Sequence, residues 1–361
     1  MEERALDDMV VLLPPLLMAL ERLGFVARHF DPSQYAQVMA AVGEPDAAVR
    51  AELPRLNAWP ESLADVREAI RIAGEAVVTA FEELRAAPDA EDGLAAVFRA
   101  LRHPPRAMEA LYPLAANLAP VSRFFLEPGR REDAGLLKRL SDAPPDADVG
   151  VFHVDNEPGS RGGFSLYVPE DYSPDRAWPL VFALHGGSGN GRSFLWSWLR
   201  DARAHGAILV APTAVGRTWA LSGNDADSPN LARIADYVAG RWNVDPNRKL
   251  LSGMSDGGTF SYVSGLEPGS PFTHLAPASA AFHPMMAQFA DPDRLDGLPI
   301  HIAHGALDWM FEVSMAREAA RTLGAAGANV TYVELEDLSH TYPRELNPQI
   351  LAWLKMTPAN G

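Results

Sequence analysis

Arg248-Lys-Leu-Leu-Ser-Gly-Met-Ser-Asp-Gly-Gly258 reads as a strand that turns sharply into a helix with a serine at its tip. Within it, Gly253-Met254-Ser255-Asp256-Gly257 fits the pattern G-x-S-x-G. The glycines answer a steric need. A serine on a strained strand-to-helix turn draws neighbouring backbone so close that a Cβ would block the approach. The pattern alone is short; its setting gives it weight. An apolar run precedes the serine, a helix-compatible stretch follows it, and chemically suitable partners lie downstream.

Working outward from this turn, the chain after about residue 149 alternates strand and helix. Strands are expected at Val149–Val154, Gly163–Val168, Leu180–Leu184, Ala207–Ala211, Lys249–Ser252, Thr273–Ala276, Ile300–Ala303 and Thr331–Glu334. Helices are expected at 193–204, 230–242, 257–265, 313–326 and 345–355. Short, wholly apolar strands such as Leu180-Val-Phe-Ala-Leu184 indicate a sheet buried on both faces. Alternation with helices makes that sheet α/β, doubly wound and mostly parallel, with ligands at the carboxyl ends of its strands.

Before residue 145 the chain is rich in Ala, Leu, Glu and Arg at helical spacing with proline breaks. Ala64–Leu84 is the clearest segment, where Val66, Ile70, Ile72, Ala73, Val77, Val78 and Phe81 recur mostly at three- and four-residue intervals. Further helices are expected near 5–23, 33–42, 46–53, 93–102, 106–118 and 132–140, with a linker around Pro144-Pro145. Two domains are therefore expected: an all-helical region at 1–145 and an α/β domain at 146–361.

The chain has 361 residues, 47% of them hydrophobic, and a formal net charge of −16. Without a basic stripe, that charge argues against nucleic acid and disfavours strongly anionic substrates. No cysteine is present, which removes disulfides, thiolate metal sites and cysteine nucleophiles. Glu2, Glu3, Asp7 and Asp8 stand where an export signal would carry positive charge. Met9–Leu20 reads as too short for a membrane span and as interrupted by Pro14-Pro15, so a cytoplasmic protein with no membrane span is expected.

A serine hydroxyl attacks poorly until a base takes its proton, and the base needs a third group to hold its tautomer. In α/β-hydrolases, where a G-x-S-x-G serine sits on such a turn, the chain order is serine, acid, histidine. Asp308 follows the Ile300–Ala303 strand and His340 follows the last strand, so both fall on the rim that Ser255 occupies. Asp291, Asp293 and Asp296 precede a strand, and Glu334, Glu336 and Asp337 lie too near His340 to come from another strand end. His340 is the only histidine after Asp308.

The loop His185-Gly-Gly-Ser-Gly-Asn190 follows a buried strand, and its backbone N–H groups are suited to an oxyanion. Gly187 is the first choice of donor, Ser188 its neighbour, and the N–H of Asp256 the second donor. No Gly-Lys-Ser/Thr follows, so a phosphate loop does not fit. His283, His301 and His304 lack the spacing of two metal ligands on one helix face, and neither a metal nor another cofactor is expected. Phe194, Trp196 and Trp198 read as core. Trp219, Trp309 and His185, all after strands, are candidates to line a substrate pocket.

With these residues assembled, the segment from about 163 to 355 resembles the α/β-hydrolase superfamily. It looks most like the esterase branch that holds polyhydroxybutyrate depolymerase-like, feruloyl-esterase-like and phospholipase/carboxylesterase proteins. The resemblance rests on Asp227-Ser-Pro-Asn-Leu-Ala-Arg-Ile-Ala-Asp236, Trp242-Asn-Val-Asp-Pro-Asn-Arg248 and Leu251-Ser-Gly-Met-Ser-Asp-Gly-Gly258. It implies Ser255 as nucleophile, Asp308 as acid, His340 as base and the His185-Gly186-Gly187 loop as oxyanion hole. Asp256 departs from it, since a neutral residue is expected after the nucleophile. The helical region has no counterpart in it.

A serine carboxylesterase acting on small to medium esters without a cofactor is the leading expectation. A peptidase, a thioesterase or a phospholipase on the same fold are the alternatives within hydrolases. An interaction module with an inactive hydrolase domain is the alternative outside them. The helical region is expected to cover part of the active-site mouth or to form a homodimer contact.

Overall fold

Strands that are apolar along their whole length must be covered on both faces, so helices have to pack above and below the sheet they form. The computed structural model, which describes residues 2–144, 146 and 148–356, divides into two compact units, Met1–Ala134 and Gly135–Gly361. Of the stretch read as a linker, Pro145 and Ala147 lie outside the described residues.

Among the described residues of the first unit the regular elements are all helices. Its long helix Glu2–His29 buries Leu12, Leu13, Leu16, Ala19, Leu20, Leu23 and Val26 against the helices Asp46–Glu52 and Ala64–Ala86. Pro14 and Pro15 do not interrupt it, which corrects the sequence expectation. Each proline removes one backbone donor, yet the apolar face is buried on both sides of the pair and holds the axis continuous. The helix is therefore long and apolar enough, by length and composition, to cross a membrane, and half of its most apolar window is buried. In Ala64–Ala86 the buried stripe is Ile70, Ala73, Val77, Phe81 and Leu84, while Val66, Ile72 and Val78 are half-buried. Gly74 belongs to that stripe because a Cβ there would stand 2.5 Å from Leu53 Cδ2.

The second unit is built on eight strands: β1 (Gly150–Val154), β2 (Phe164–Val168), β3 (Trp178–Leu184), β4 (Ile208–Pro212), β5 (Val244–Met254), β6 (His274–Ala278), β7 (Pro299–Gly305) and β8 (Asn329–Leu335). They form one sheet in the order β1-β2-β4-β3-β5-β6-β7-β8. β1 and β2 are antiparallel to their neighbours, and β4 through β8 run parallel with β3. β2, β3, β4, β6 and β7 are buried along their full length, as continuous apolar runs require.

Two features of this sheet position the site. β4 lies on one side of β3 and β5 on the other, so the chain reverses its direction of winding there, and in such sheets ligands bind beyond the carboxyl ends of the strands at that point. The expected helix 193–204 is broken into Gly191–Phe194, a 3-10 turn at Leu195–Ser197 and Leu199–His205. Positions 196 and 198 would point about 200° apart on a straight helix. The tightened turn lets both Trp196 and Trp198 be buried.

Phe182 sits in the middle of β3, fully buried, with its ring 4.9 Å from Phe272 in an edge-on contact. Phe182→Ala is expected to destabilise the second unit by about 3–5 kcal/mol, read from its urea unfolding midpoint.

Candidate active site

β5 ends at Met254 and a helix runs from Asp256 to Gly265, leaving one residue, Ser255, to make the turn. Its φ of 56° and ψ of −121° lie where side chains are seldom tolerated. Backbone bonds hold it there: Ser255 N–H donates to Ala278 O at 3.0 Å, and Thr259 N–H donates to Ser255 O at 2.8 Å. The glycines permit the packing. A Cβ on Gly253 would stand 2.4 Å from the Gly257 carbonyl, and one on Gly257 would stand 2.5 Å from His185 O.

The turn brings Ser255 to the loops after β7 and β8. His340 Nε2 lies 3.0 Å from Ser255 Oγ, and His340 Nδ1 lies 2.9 Å from Asp308 Oδ2 and 3.0 Å from Oδ1. All three residues are buried. An ionised carboxylate only accepts, so Nδ1 carries the proton and Nε2 is left to accept from the serine hydroxyl. Burial pushes the Asp308 carboxyl upward, but the His340 bond and the N–H groups of Phe311 and Met310 outweigh it and hold the group below its usual range. His304 Nε2 donates to Phe311 O at 2.9 Å and stands 3.4 Å from Asp308 Oδ2, so this histidine helps seat the acid. Nothing in the sequence signals this role.

The loop after β3 lies against this turn. Gly189 N–H donates to Gly186 O at 3.0 Å, closing a tight turn with Ser188 in the left-handed region at φ 57°. Gly187 and Ser188 are exposed at its tip. A Cβ on Gly186 would stand 3.6 Å from Ser255 Cβ, and one on Gly187 would stand 2.8 Å from Asp256 Oδ2. Gly186 thus lies beside Ser255, and Gly187 beside the Asp256 carboxylate. A reversal of winding in a mostly parallel sheet, a serine at the tip of the strand-to-helix turn, and a glycine loop beside it decide the architecture. The second unit has the α/β-hydrolase fold.

Two expected pocket residues of this α/β-hydrolase unit are not at its surface. His185 is buried; its Nδ1–H donates to Gly186 O at 2.7 Å and its Nε2 accepts from Ala214 N–H at 3.1 Å. Trp219 is buried too, stacked 5.4 Å from Phe260, with its indole N–H donating to His185 O at 2.7 Å. Both brace the loop from behind instead of facing substrate, because each polar atom finds a backbone partner inside. Trp309 differs: it is 40% exposed, with its ring 6.0 Å from that of His340.

Other supports carried no sequence signal for this role. Buried Asp227 accepts from Val215 N–H at 2.7 Å and from Ala220 N–H at 2.9 Å, fixing the loop that carries Thr218 and Trp219. Burial pushes its carboxyl up despite those two donors. Arg161 ties Gly189 O and Gly216 O together at 2.8 and 2.7 Å. Thr213 Oγ accepts from Gly191 N–H at 2.8 Å and donates to Asn156 Oδ1 at 2.7 Å.

No family model matches the chain. A stretch of 116 residues, 30% of the chain, is 32% identical to the probable feruloyl esterase C of Aspergillus terreus and covers 43% of that protein. Over 194 residues the chain is 27% identical to the probable feruloyl esterase C of Aspergillus clavatus, covering 52% of this chain and 68% of that protein. The chain spans less than half the length of the first of these relatives. Among solved structures, a thermostable esterase aligns with a TM-score of 0.48 at 21% identity, over 58% of this chain and 63% of that one.

Burial lowers the His185 pKa from 6.5 to about 4, so the folded state keeps it neutral. Its contribution to stability is complete above the unfolded value of 6.5 and is lost as pH falls through about 4. Unfolding midpoints measured across that range are expected to fall more steeply for the wild type than for His185→Asn.

Proposed function

We propose that the second unit is a serine carboxylesterase that cleaves small to medium carboxylic esters through an acyl-enzyme. The observation that carries this reading is His340, bonded through one nitrogen to Ser255 Oγ and through the other to Asp308. Ser255 Oγ attacks the ester carbonyl while His340 Nε2 takes its proton, and Asp308 stabilises the imidazolium that forms. The N–H groups of Gly187 and Asp256, with Ser188 beside them, hold the oxyanion. His340 returns the proton to the departing alcohol. It then activates a water that releases the acid and restores Ser255. Trp309 offers an apolar wall to the acyl or alcohol group. The two feruloyl esterase relatives support an ester with an apolar or aromatic part. A cytoplasmic setting suits a chain without cysteine and belongs to the same proposal.

Hydrolysis of p-nitrophenyl esters from acetate to palmitate tests this. Turnover is expected on the shorter chains, with Ser255→Ala lowering kcat by about 10⁶-fold and Asp308→Asn by about 10⁴-fold through loss of the correct tautomer. Cleavage of thioesters or peptides with no cleavage of oxygen esters contradicts the assignment, as does activity retained in Ser255→Ala.

A further inference from the structure

The residue after the serine is a carboxylic acid whose role the acyl-transfer scheme does not explain. Asp256 opens the helix at its first position, where the positive end of the helix dipole favours an anion. Thr218 donates its hydroxyl to Asp256 Oδ2 at 2.6 Å. That oxygen lies 2.8 Å from where a Cβ on Gly187 would stand. The carboxylate therefore lies against Gly187, in the loop assigned to the oxyanion. It is half-buried, and among the described residues no lysine or arginine pairs with it. A negative group beside a developing oxyanion opposes the reaction of a neutral ester and opposes that of an anionic ester more strongly.

We propose that Asp256, oriented by Thr218, is a charge-selecting residue that favours esters carrying a cationic group on the carbon next to the carbonyl and rejects anionic ones. The inference rests on the esterase reading above. A substituent on that carbon is three bonds from the carbonyl oxygen, so it comes within reach of a group beside the oxyanion loop. An ammonium there supplies the counter-charge the protein does not provide, and its N–H groups can bond the carboxylate directly. The net charge of −16 acts in the same direction at longer range, drawing cationic substrates to the site and repelling anionic ones. Thr218 leaves the second carboxylate oxygen for substrate while fixing the plane of the group.

Four ethyl esters that differ in one substituent test the idea: alanine (ammonium), lactate (hydroxyl), isobutyrate (methyl) and methylmalonate monoester (carboxylate). Each is measured with the wild type and with Asp256→Asn, so that intrinsic ester reactivity cancels in the ratio. Asparagine keeps the shape, the backbone donor and an oxygen that accepts from Thr218; it removes the charge and turns the other oxygen into an NH2 group. In the variant, kcat/KM for the alanine ester is expected to fall by about 10- to 100-fold and that for the methylmalonate ester to rise by at least about tenfold. The lactate and isobutyrate esters are expected to change by less than about threefold relative to each other. A role confined to folding or helix capping moves all four by one factor, and that result overturns the proposal, as does any ranking that does not follow charge. If the wild type hydrolyses ethyl isobutyrate through Ser255 and the ratios are flat, the charge-selection proposal alone fails. If no ester is hydrolysed, the esterase reading fails and the proposal falls with it.

Discussion

The turn at Ser255 needs two things at once: a side chain in a backbone conformation that side chains avoid, and a helix starting directly against the strand it leaves. Left-handed strain of this kind costs about 1–3 kcal/mol. It persists because the Ala278 and Thr259 bonds fix both ends of the peptide and because three glycines remove the atoms that would collide. The same closeness joins the site together. Gly257 approaches the carbonyls of Leu184 and His185, so the helix after the serine and the loop after β3 share one surface. Displacement of either would separate the serine from the glycine loop.

Behind that surface lies a shell of buried polar groups with backbone partners. His185, Trp219, Asp227, Thr213 and Asn156 bond to backbone or to one another, and each bond stops a loop from relaxing. Leaving one such group without its partner costs about 1–3 kcal/mol, which gives the loops few alternative conformations. Rigid loops suit backbone N–H groups that must already point at a charge that appears only during reaction. His304 and the Met310 and Phe311 amides act in the same way on Asp308, keeping it ionised and aimed at His340.

Much of this arrangement was legible in the sequence. Eight strands could be read because short runs such as Leu180–Leu184 are apolar and lie between helix-like segments, and that alternation implied a mostly parallel sheet; the order of the strands was not legible. Asp308 and His340 could be picked out because each follows a strand and few rivals lie on the same rim. His185 and Trp219 were misread for a physical reason: a position after a strand says that a residue is near the rim, not whether it turns inward. Only the carbonyls and amides of Gly186, Ala214 and His185 decide that, and they are distant in sequence from one or both residues. The Pro14-Pro15 pair misled in the opposite direction, since local propensity gave way to burial on both sides of it. Nothing in the order of residues joins Thr218 to Asp256 across 38 positions.

The central claim is that His340 makes Ser255 reactive. Exposure to a fluorophosphonate, followed by intact-mass and peptide mapping, measures that reactivity directly without assuming a substrate. One adduct on Ser255 is expected in the wild type, with labelling slowed by several orders of magnitude in His340→Ala. Equal labelling of Ser255 in both proteins, an adduct on another residue, or none on the folded wild type would contradict it.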